Sequence, residues 1–300
     1  MADTAILPAA ASAPIPMTPT EQLMHAVVRI SNETAGQVRW GTGFLFHFFQ
    51  TSAGSFPAIV TNKHVLEGLK DCSFFVASTN ADGSPNSDKH LKLEIPDIQS
   101  MSLFHPSVDL AIIPIGNHLQ KLIAAGTAPF LRGLDQSLIP TTEEFKQLLP
   151  VEQLLTVGFP GQLWDDVHNL PIFHRGYSAT APYIDFKGKQ EFLVDFAIWP
   201  GASGSPVFLY NENGYMDRHG NTMMGGVRIK LIGVAFGVAV QDVTGNMTIQ
   251  AGPTSVIAPT RMSVPTNLGA CISAARLLEF EPLLVAKGLT TPVGYKMRAT

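Results

Sequence analysis

An all-β fold in two β-rich halves is predicted by three observations. Short runs rich in Val, Ile and Phe recur along the chain, each bounded by Gly, Pro, Asn, Asp or Ser. Gly and Pro number 26 and 22 among 300 residues, a turn content that suits many short strands better than a helical bundle. The middle of the chain, around "IPTTEEFKQLLP", changes character and separates one set of runs from the other. Strands at this spacing suggest a sandwich or barrel in each half.

The elements follow in order. Residues 1–22, "MADTAILPAAASAPIPMTPTEQ", are rich in Ala and Pro and read as a flexible arm. Residues 23–130 hold the first set of strands: "HAVVRI", "GTGFLFHFF", "FPAIVTNKHVL", "CSFFVAST", "LKLEI" and "DLAIIPI". Residues 131–152 form a linker with one short helix, where Thr141 and Glu144 make a capping box and Pro150 ends it. Residues 153–272 hold the second set: "EQLLTVGFPG", "HRGYSATAPYIDF", "EFLVDFAIW", "SPVFLYN", "RIKLIGVAFGVAV" and "TNLGACI". Within it, residues 211–226 have turn signals and little apolar pattern, so a surface loop or long hairpin is expected. Residues 273–300 carry a C-terminal helix, with Ser273 as its N-cap ahead of Leu277, Leu278 and Phe280.

Composition removes several classes of function. The hydrophobic fraction of 45% marks a globular chain, and charged residues are 15%. The net charge is −4 and no basic block stands out, which argues against a nucleic-acid partner. No apolar run approaches the length of a membrane span. The N-terminus lacks the basic region of a secretory signal, with Asp3 where Lys or Arg is expected. Cys72 and Cys271 are too few for a disulfide framework and lack metal-ligand spacing. A reducing, cytoplasmic setting is therefore expected, with an atypical export signal as the alternative. The glycosylation patterns at Asn32 and Asn246 then read as chance. Neither an HExxH motif nor a Cys/His cluster offers a metal site, and no cofactor is expected.

One stretch stands apart: "PGASGSPVF", residues 200–208. A serine nucleophile needs a base, an acid to orient the base, and backbone N–H groups aimed at the developing oxyanion. Gly201 and Gly204 allow a tight turn and close approach of a substrate carbonyl. By itself the stretch is also an ordinary small-residue turn. Upstream, "AIVTNKHV" ends an apolar strand on His64, and "SVDLAIIPI" puts Asp109 before another. The chain order His64, Asp109, Ser203 is one of the known triad orders. His105 competes as an alternative base. The α/β-hydrolase elbow fails, because Ser205 replaces its second Gly and only His219, in the expected loop, follows the serine.

With these residues in place, the sequence resembles the chymotrypsin-like (trypsin-like) serine peptidases, nearest to the bacterial stand-alone and HtrA-type branch. "GTGFLF", "IVTNKHV", "VDLAIIPI", "LTVGFP", "VDFAIWPGASGSPVF" and "LIGVAFG" match that family's motifs in order over residues 25–285. The resemblance implies two six-stranded antiparallel barrels, with His64 and Asp109 from the first and Ser203 from the second. It implies an endopeptidase with a polypeptide substrate and an oxyanion hole from the N–H groups of Gly201 and Ser203. Its specificity pocket would be lined by Ala197, Ile198, Ala235, Phe236, Gly237 and Gly269. Ala197 stands where trypsin has an acid, so an uncharged residue before the scissile bond is expected. Ala202 replaces the acid that pairs with a freed N-terminus in digestive relatives, so no such zymogen cleavage is expected. No Cys follows His64, so the family's usual disulfide there is not expected, and neither is the PDZ domain that follows the peptidase in many HtrA-type proteins. A catalytically silent module on the same fold that binds peptides or partners, and an esterase-type acyl hydrolase, are the competing readings. The oligomeric state is left open.

Overall fold

The computed structural model describes residues 17–34, 37–52, 54–161, 164–250, 255–289, 295 and 297; the side chains of 34, 37, 240–250 and 255–265 lie outside that description. The first half runs β1 (Val27–Thr34), β2 (Gln37–Thr51), β3 (Gly54–Thr61), β4 (Cys72–Thr79), β5 (Pro85–Ile95), β6 (Leu103–Phe104), β7 (Ala111–Pro114), β8 (Pro129–Phe130) and β9 (Leu134–Asp135). These make one sheet of nine strands, ordered β5-β4-β1-β2-β3-β7-β6, with β8 beside β4 and β9 beside β2. Three short strands, β6, β8 and β9, take the count beyond the expected six.

The second half runs β10 (Gln153–Gly158), β11 (Ile172–Tyr177), β12 (Glu191–Val194), β13 (Pro206–Asn211), β14 (Gly214–Met216), β15 (Thr222–Met224), β16 (Arg228–Gln250) and β17 (Ser255–Ser273). Six of them form a sheet ordered β11-β10-β13-β16-β17-β12. It closes on itself where Ser178 pairs with Val194 and the Asp195 N–H donates to the Tyr177 carbonyl at 2.8 Å. β14 and β15 form a separate small hairpin with exposed Met216, Met223 and Met224, so the 211–226 stretch is a hairpin rather than a loop.

Three apolar cores explain why many strands read as unbroken apolar runs. Leu45 and Ile59 point into the first barrel, with Ile30, Phe74 and Ile95. Their neighbours Phe44, Phe46, Ala58 and Val60 point out of it, onto Val157, Phe208, Leu231 and Val234 of the second sheet. Leu154, Phe192, Val207 and Ile232 fill the interior of the second barrel. A strand buried on both faces loses the alternation of a half-exposed one. Each such side chain contributes roughly 1.5–3 kcal/mol on burial, so the sheet-to-sheet interface is as strong a core as either barrel interior.

The helices are short: α1 (Pro19–Met24), α2 (Lys63–Leu66), α3 (Ile98–Met101), α4 (Gly116–Ala124), α5 (Thr142–Lys146) and α6 (Phe280–Ala286), with 3-10 turns at Gln136–Leu138 and Ala274–Glu279. α5 has the expected capping box of Thr141 and Glu144. Several expectations need correction. The end of the arm is α1, started by a second capping box, Thr18 with Glu21, and by Pro19; residues 1–16 lie outside the description. The linker supplies β9, which pairs in parallel with β2. β11 stops at Tyr177, because the Ser178 N–H turns to Glu152 and its hydroxyl to Pro150. β12 stops at Val194, and Phe196 and Ile198 fold back into the second core. The C-terminal helix opens as a 3-10 turn with no hydrogen bond from the Ser273 side chain. α4 lacks a side-chain cap and is held by Leu119 and Leu122 against the first core.

Candidate active site

His64 lies on α2, two residues past Asn62, where the chain leaves β3. The expected strand-end histidine is thus a helix-turn histidine. Asp109 sits in the turn between β6 and β7 and holds His64 twice. Its Oδ1 accepts from the His64 backbone N–H at 3.1 Å, and its Oδ2 accepts from Nδ1 at 2.5 Å. The Asp109 carbonyl accepts from the Asn62 side chain at 2.7 Å, which ties the two turns together a third time. With Nδ1–H committed to the carboxylate, Nε2 carries the ring's lone pair. The His64 side chain is 44% exposed and that of Asp109 30%, so the pair lies at the surface.

The 200–205 turn comes from the second half and is built on two glycines. Gly201 has φ +93° and Gly204 φ +90°, in the left-handed region that favours glycine. A Cβ on Gly204 would lie 2.0 Å from the Thr42 carbonyl oxygen, and one on Gly201 would lie 2.5 Å from Trp40 and 2.7 Å from the Phe159 carbonyl oxygen. The turn therefore presses against β2 of the first half. Thr42 fastens it there: its N–H donates to the Ser203 carbonyl at 2.9 Å and its hydroxyl donates to the Gly201 carbonyl at 2.9 Å. The same hydroxyl accepts from the Phe159 N–H at 2.9 Å, and Thr61 Oγ1 donates to the Thr42 carbonyl at 2.7 Å.

These bonds decide which N–H groups stay free. Inside the turn, Ala202 donates to Trp199, Gly204 to Ala235 and Ser205 to Ala202. Among the described residues, the N–H groups of Gly201 and Ser203 have no acceptor. The two serines also separate. Ser203 is partly exposed, whereas Ser205 is 1% exposed, with its hydroxyl unpartnered and packed on Gly158. Among the described residues, neither Nε2 of His64 nor Oγ of Ser203 makes a hydrogen bond, so the structure joins His64 to Asp109 and leaves the gap to Ser203 open.

Ala197, Ile198 and Ala235 come together around a cavity of about 10 Å³, with Ser205, Ala202 and His174. That is room for about one water. Ile198 fills the space in front of Gly269, where a Cβ would meet it at 2.6 Å. His174 has an unpartnered Nε2 there, and burial pushes its pKa down. Phe236 and Gly237 lie instead on the part-exposed edge of β16. The β13–β16 ladder ends at Pro206–Val234, and Ala235 is bonded to the serine turn. Beyond it β17 covers one side of β16, and Gly237 opens onto free space.

His105 is not placed as a base. It is buried, and both ring nitrogens are engaged, by the N–H groups of Ser107 and Val108 and by Glu279. His219 lies in the β14–β15 hairpin. Cys72 and Cys271 are buried and free, and burial pushes the Cys72 thiol up to about 12. Among the described residues, no group of three His, Cys, Asp or Glu side chains could hold a metal, and no helix is long and apolar enough to cross a membrane. Thr42, Thr61, Asn62 and Phe159 were not singled out from the sequence. The only signal for the first was its place in "GTGF", between two glycines that clear Val65 and Ile59.

Two β-barrels that meet across a shared core, with a His–Asp pair on one and a glycine-framed serine turn on the other, define a chymotrypsin-fold protein. The family model for the trypsin-like peptidase domain matches residues 41–215, a span that contains His64, Asp109 and Ser203, and the chain belongs to that family. Solved structures similar to it include catalytically active tobacco etch virus protease complexed with product, at 11% identity and TM-score 0.46, covering 96% of this chain and 89% of that one. A thermostable serine protease, AL20, from an extremophilic microorganism has 11% identity and TM-score 0.46, covering 90% and 100%. An inactivated protease paralogue from the scabies mite has 12% identity and TM-score 0.45, covering 89% and 97%. No curated protein matches the chain.

Proposed function

We propose that the protein is a serine endopeptidase that cleaves polypeptides through a Ser203 acyl-enzyme. The observation that carries this reading is the double hold of Asp109 on His64, which directs the basic Nε2 away from the acid. The Ser203 turn is bonded to Thr42 on β2, which Thr61 ties in turn to β3, the strand that leads into His64. His64 takes the Ser203 proton as Oγ attacks the scissile carbonyl, then delivers it to the leaving amine. Asp109 holds the tautomer and stabilises the imidazolium. The free N–H groups of Gly201 and Ser203 receive the oxyanion, and losing one such donor costs about 3–4 kcal/mol of transition-state stabilisation. Triad hydrogen bonds are commonly long without substrate and tighten in the complex. The open edge of β16 at 236–238 suits an extended peptide added as a further strand. No acid stands among Ala197, Ile198, Ala235, Phe236, Gly237 and Gly269, which supports an uncharged residue before the scissile bond.

The open gap between Ser203 and His64 is the one observation on the side of a silent, peptide-binding relative. A fluorophosphonate probe separates the two. Labelling of the wild type and of Ser205→Ala, but not of Ser203→Ala, is the expected result. An unlabelled wild type would overturn the peptidase reading. A panel of peptides then tests the pocket: preferential cleavage after Arg or Lys would refute the uncharged preference.

A further inference from the structure

The turn that carries Asp109 is held by a side chain with no part in proton transfer. His105 is buried. Its Nδ1 accepts from the backbone N–H groups of Ser107 and Val108, each at 3.2 Å. An Nδ1 that accepts twice has no proton, so the ring's proton is on Nε2, which donates to Glu279 at 3.0 Å. The His105 N–H donates to the Leu110 carbonyl at 2.9 Å, and the Leu110 N–H to the Val108 carbonyl at 2.9 Å. Residues 105–110 thus close into a small ring with Asp109 on its rim.

The second half clamps that ring. Arg276 Nη2 donates to the Ser107 hydroxyl at 2.6 Å, and its Nε makes an ion contact with Glu279 at 2.8 Å. Phe280 stands edge-on to the imidazole, with ring centres 5.3 Å apart. Arg276 and Glu279 lie on the 3-10 turn Ala274–Glu279, and Phe280 opens α6. The acid at one end of the His64 pair is therefore located by the C-terminal segment, through one imidazole. Burial and the nearby Arg276 and Lys63 charges favour the neutral ring, while Glu279 opposes them.

We propose that His105 is a positioning residue for Asp109: it fixes the 105–110 turn against the C-terminal 3-10 helix so that both carboxylate oxygens face His64. The proposal rests on the peptidase reading for its kinetic consequence, but not for its geometric one. The essential atom is the Nδ1 acceptor. Asn places an amide oxygen near the Nδ1 position, Gln places its amide near Nε2, and Leu supplies neither. Full-length His105→Asn, His105→Gln and His105→Leu are compared with the wild type in two measurements. One is the far-downfield proton resonance of the His64–Asp109 hydrogen bond, assigned by its loss in His64→Ala. The other is peptide turnover.

The expected result is that Asn keeps the resonance and kcat within about threefold. Leu and Gln should broaden or lose the resonance and reduce kcat by about 10- to 100-fold at nearly constant KM, the scale of a misplaced catalytic group. Thermal unfolding of each variant shows which are folded. If His105→Leu does not fold, the contrast between Asn and Gln decides. Equal behaviour of Asn and Gln, or a folded Leu variant with an unchanged resonance, would overturn the proposal. A wild type without turnover, but with this same order of resonances, would refute the peptidase reading and support the positioning role.

Discussion

Replacing Thr42 with valine removes one hydroxyl and leaves the side-chain volume nearly unchanged. That hydroxyl donates to the Gly201 carbonyl and accepts from the Phe159 N–H, both at 2.9 Å and both buried. Valine offers neither group a partner. A buried polar group left unsatisfied costs about 1–3 kcal/mol, so two cost about 2–6 kcal/mol if the turn stays in place. If the turn moves to relieve that cost, the free N–H groups of Gly201 and Ser203 move with it and the proposed oxyanion site is lost. Stability or reactivity therefore falls, and the split between them reports how firmly the turn is held. Urea unfolding gives the first quantity and the rate of fluorophosphonate labelling gives the second. Thr42→Ser keeps the hydroxyl and loses one methyl, about 1 kcal/mol, so it should label at close to the wild-type rate. A valine variant within about 0.5 kcal/mol of the wild type in stability, inside ordinary surface-mutation scatter, and labelled at the same rate would refute the reasoning.

Ser205→Ala removes a buried hydroxyl with no partner, so urea unfolding should show unchanged or slightly raised stability; a loss above about 1 kcal/mol would mean that the hydroxyl is bonded after all. Gly204→Ala combines φ +90° with a Cβ 2.0 Å from the Thr42 carbonyl, and should abolish labelling and lower the melting temperature; an active, stable variant would contradict the turn geometry. Burial pushes His25, His47, His105, His118 and His174 below their ordinary value of 6.5. The unfolded chain then takes up protons before the native one as pH falls through that value, so the stability present above it is lost on acidification. Exposed His168, raised by its Asp165 partner, runs the other way but is solvent-screened. The melting temperature should be lower at about pH 5.5 than at about pH 7.5, and a flat or rising profile would refute the burial argument. Buried Cys72 and Cys271 should resist a thiol reagent in the native state and react after unfolding; prompt native reaction would show an opening of either core.

The sequence is most informative where local chemistry and tertiary context agree. Strands buried on both faces, such as "GTGFLFHFF" and "AIV", announce themselves by apolar runs that no other packing needs. The capping box at Thr141 is local and readable; the one at Thr18 is equally local, but its Ala- and Pro-rich approach reads as an arm and masks it. β6, β8 and β9 have two residues each and carry no period to detect. "HRGYSATAPYIDF" reads as one strand, but a single serine diverts its backbone toward Glu152 and Pro150. In the candidate site, His64, Asp109 and the two serines were visible as residue types in an order. Thr42 was not, because its importance lies in bonds to residues about 120 and 160 positions away, and chain order does not encode that. His105 shows the opposite error: an imidazole four residues before the acid looks like a spare base until its two nitrogens are found occupied.

The contact between the 105–110 turn and the Ala274–Glu279 segment bears on the order in which the site is assembled. A ribosome delivers the chain from one end, and His64, Asp109 and Ser203 are all made long before Glu279, Phe280 and Leu284. Those last residues supply the clamp on the acid's turn and part of the core between the barrels. If the peptidase reading holds, a nascent chain carries every reactive group yet lacks the frame that aligns them. The acid's turn is then aligned only after residues 274–284 have emerged and packed against it, so completion of the site is coupled to the folding of that segment.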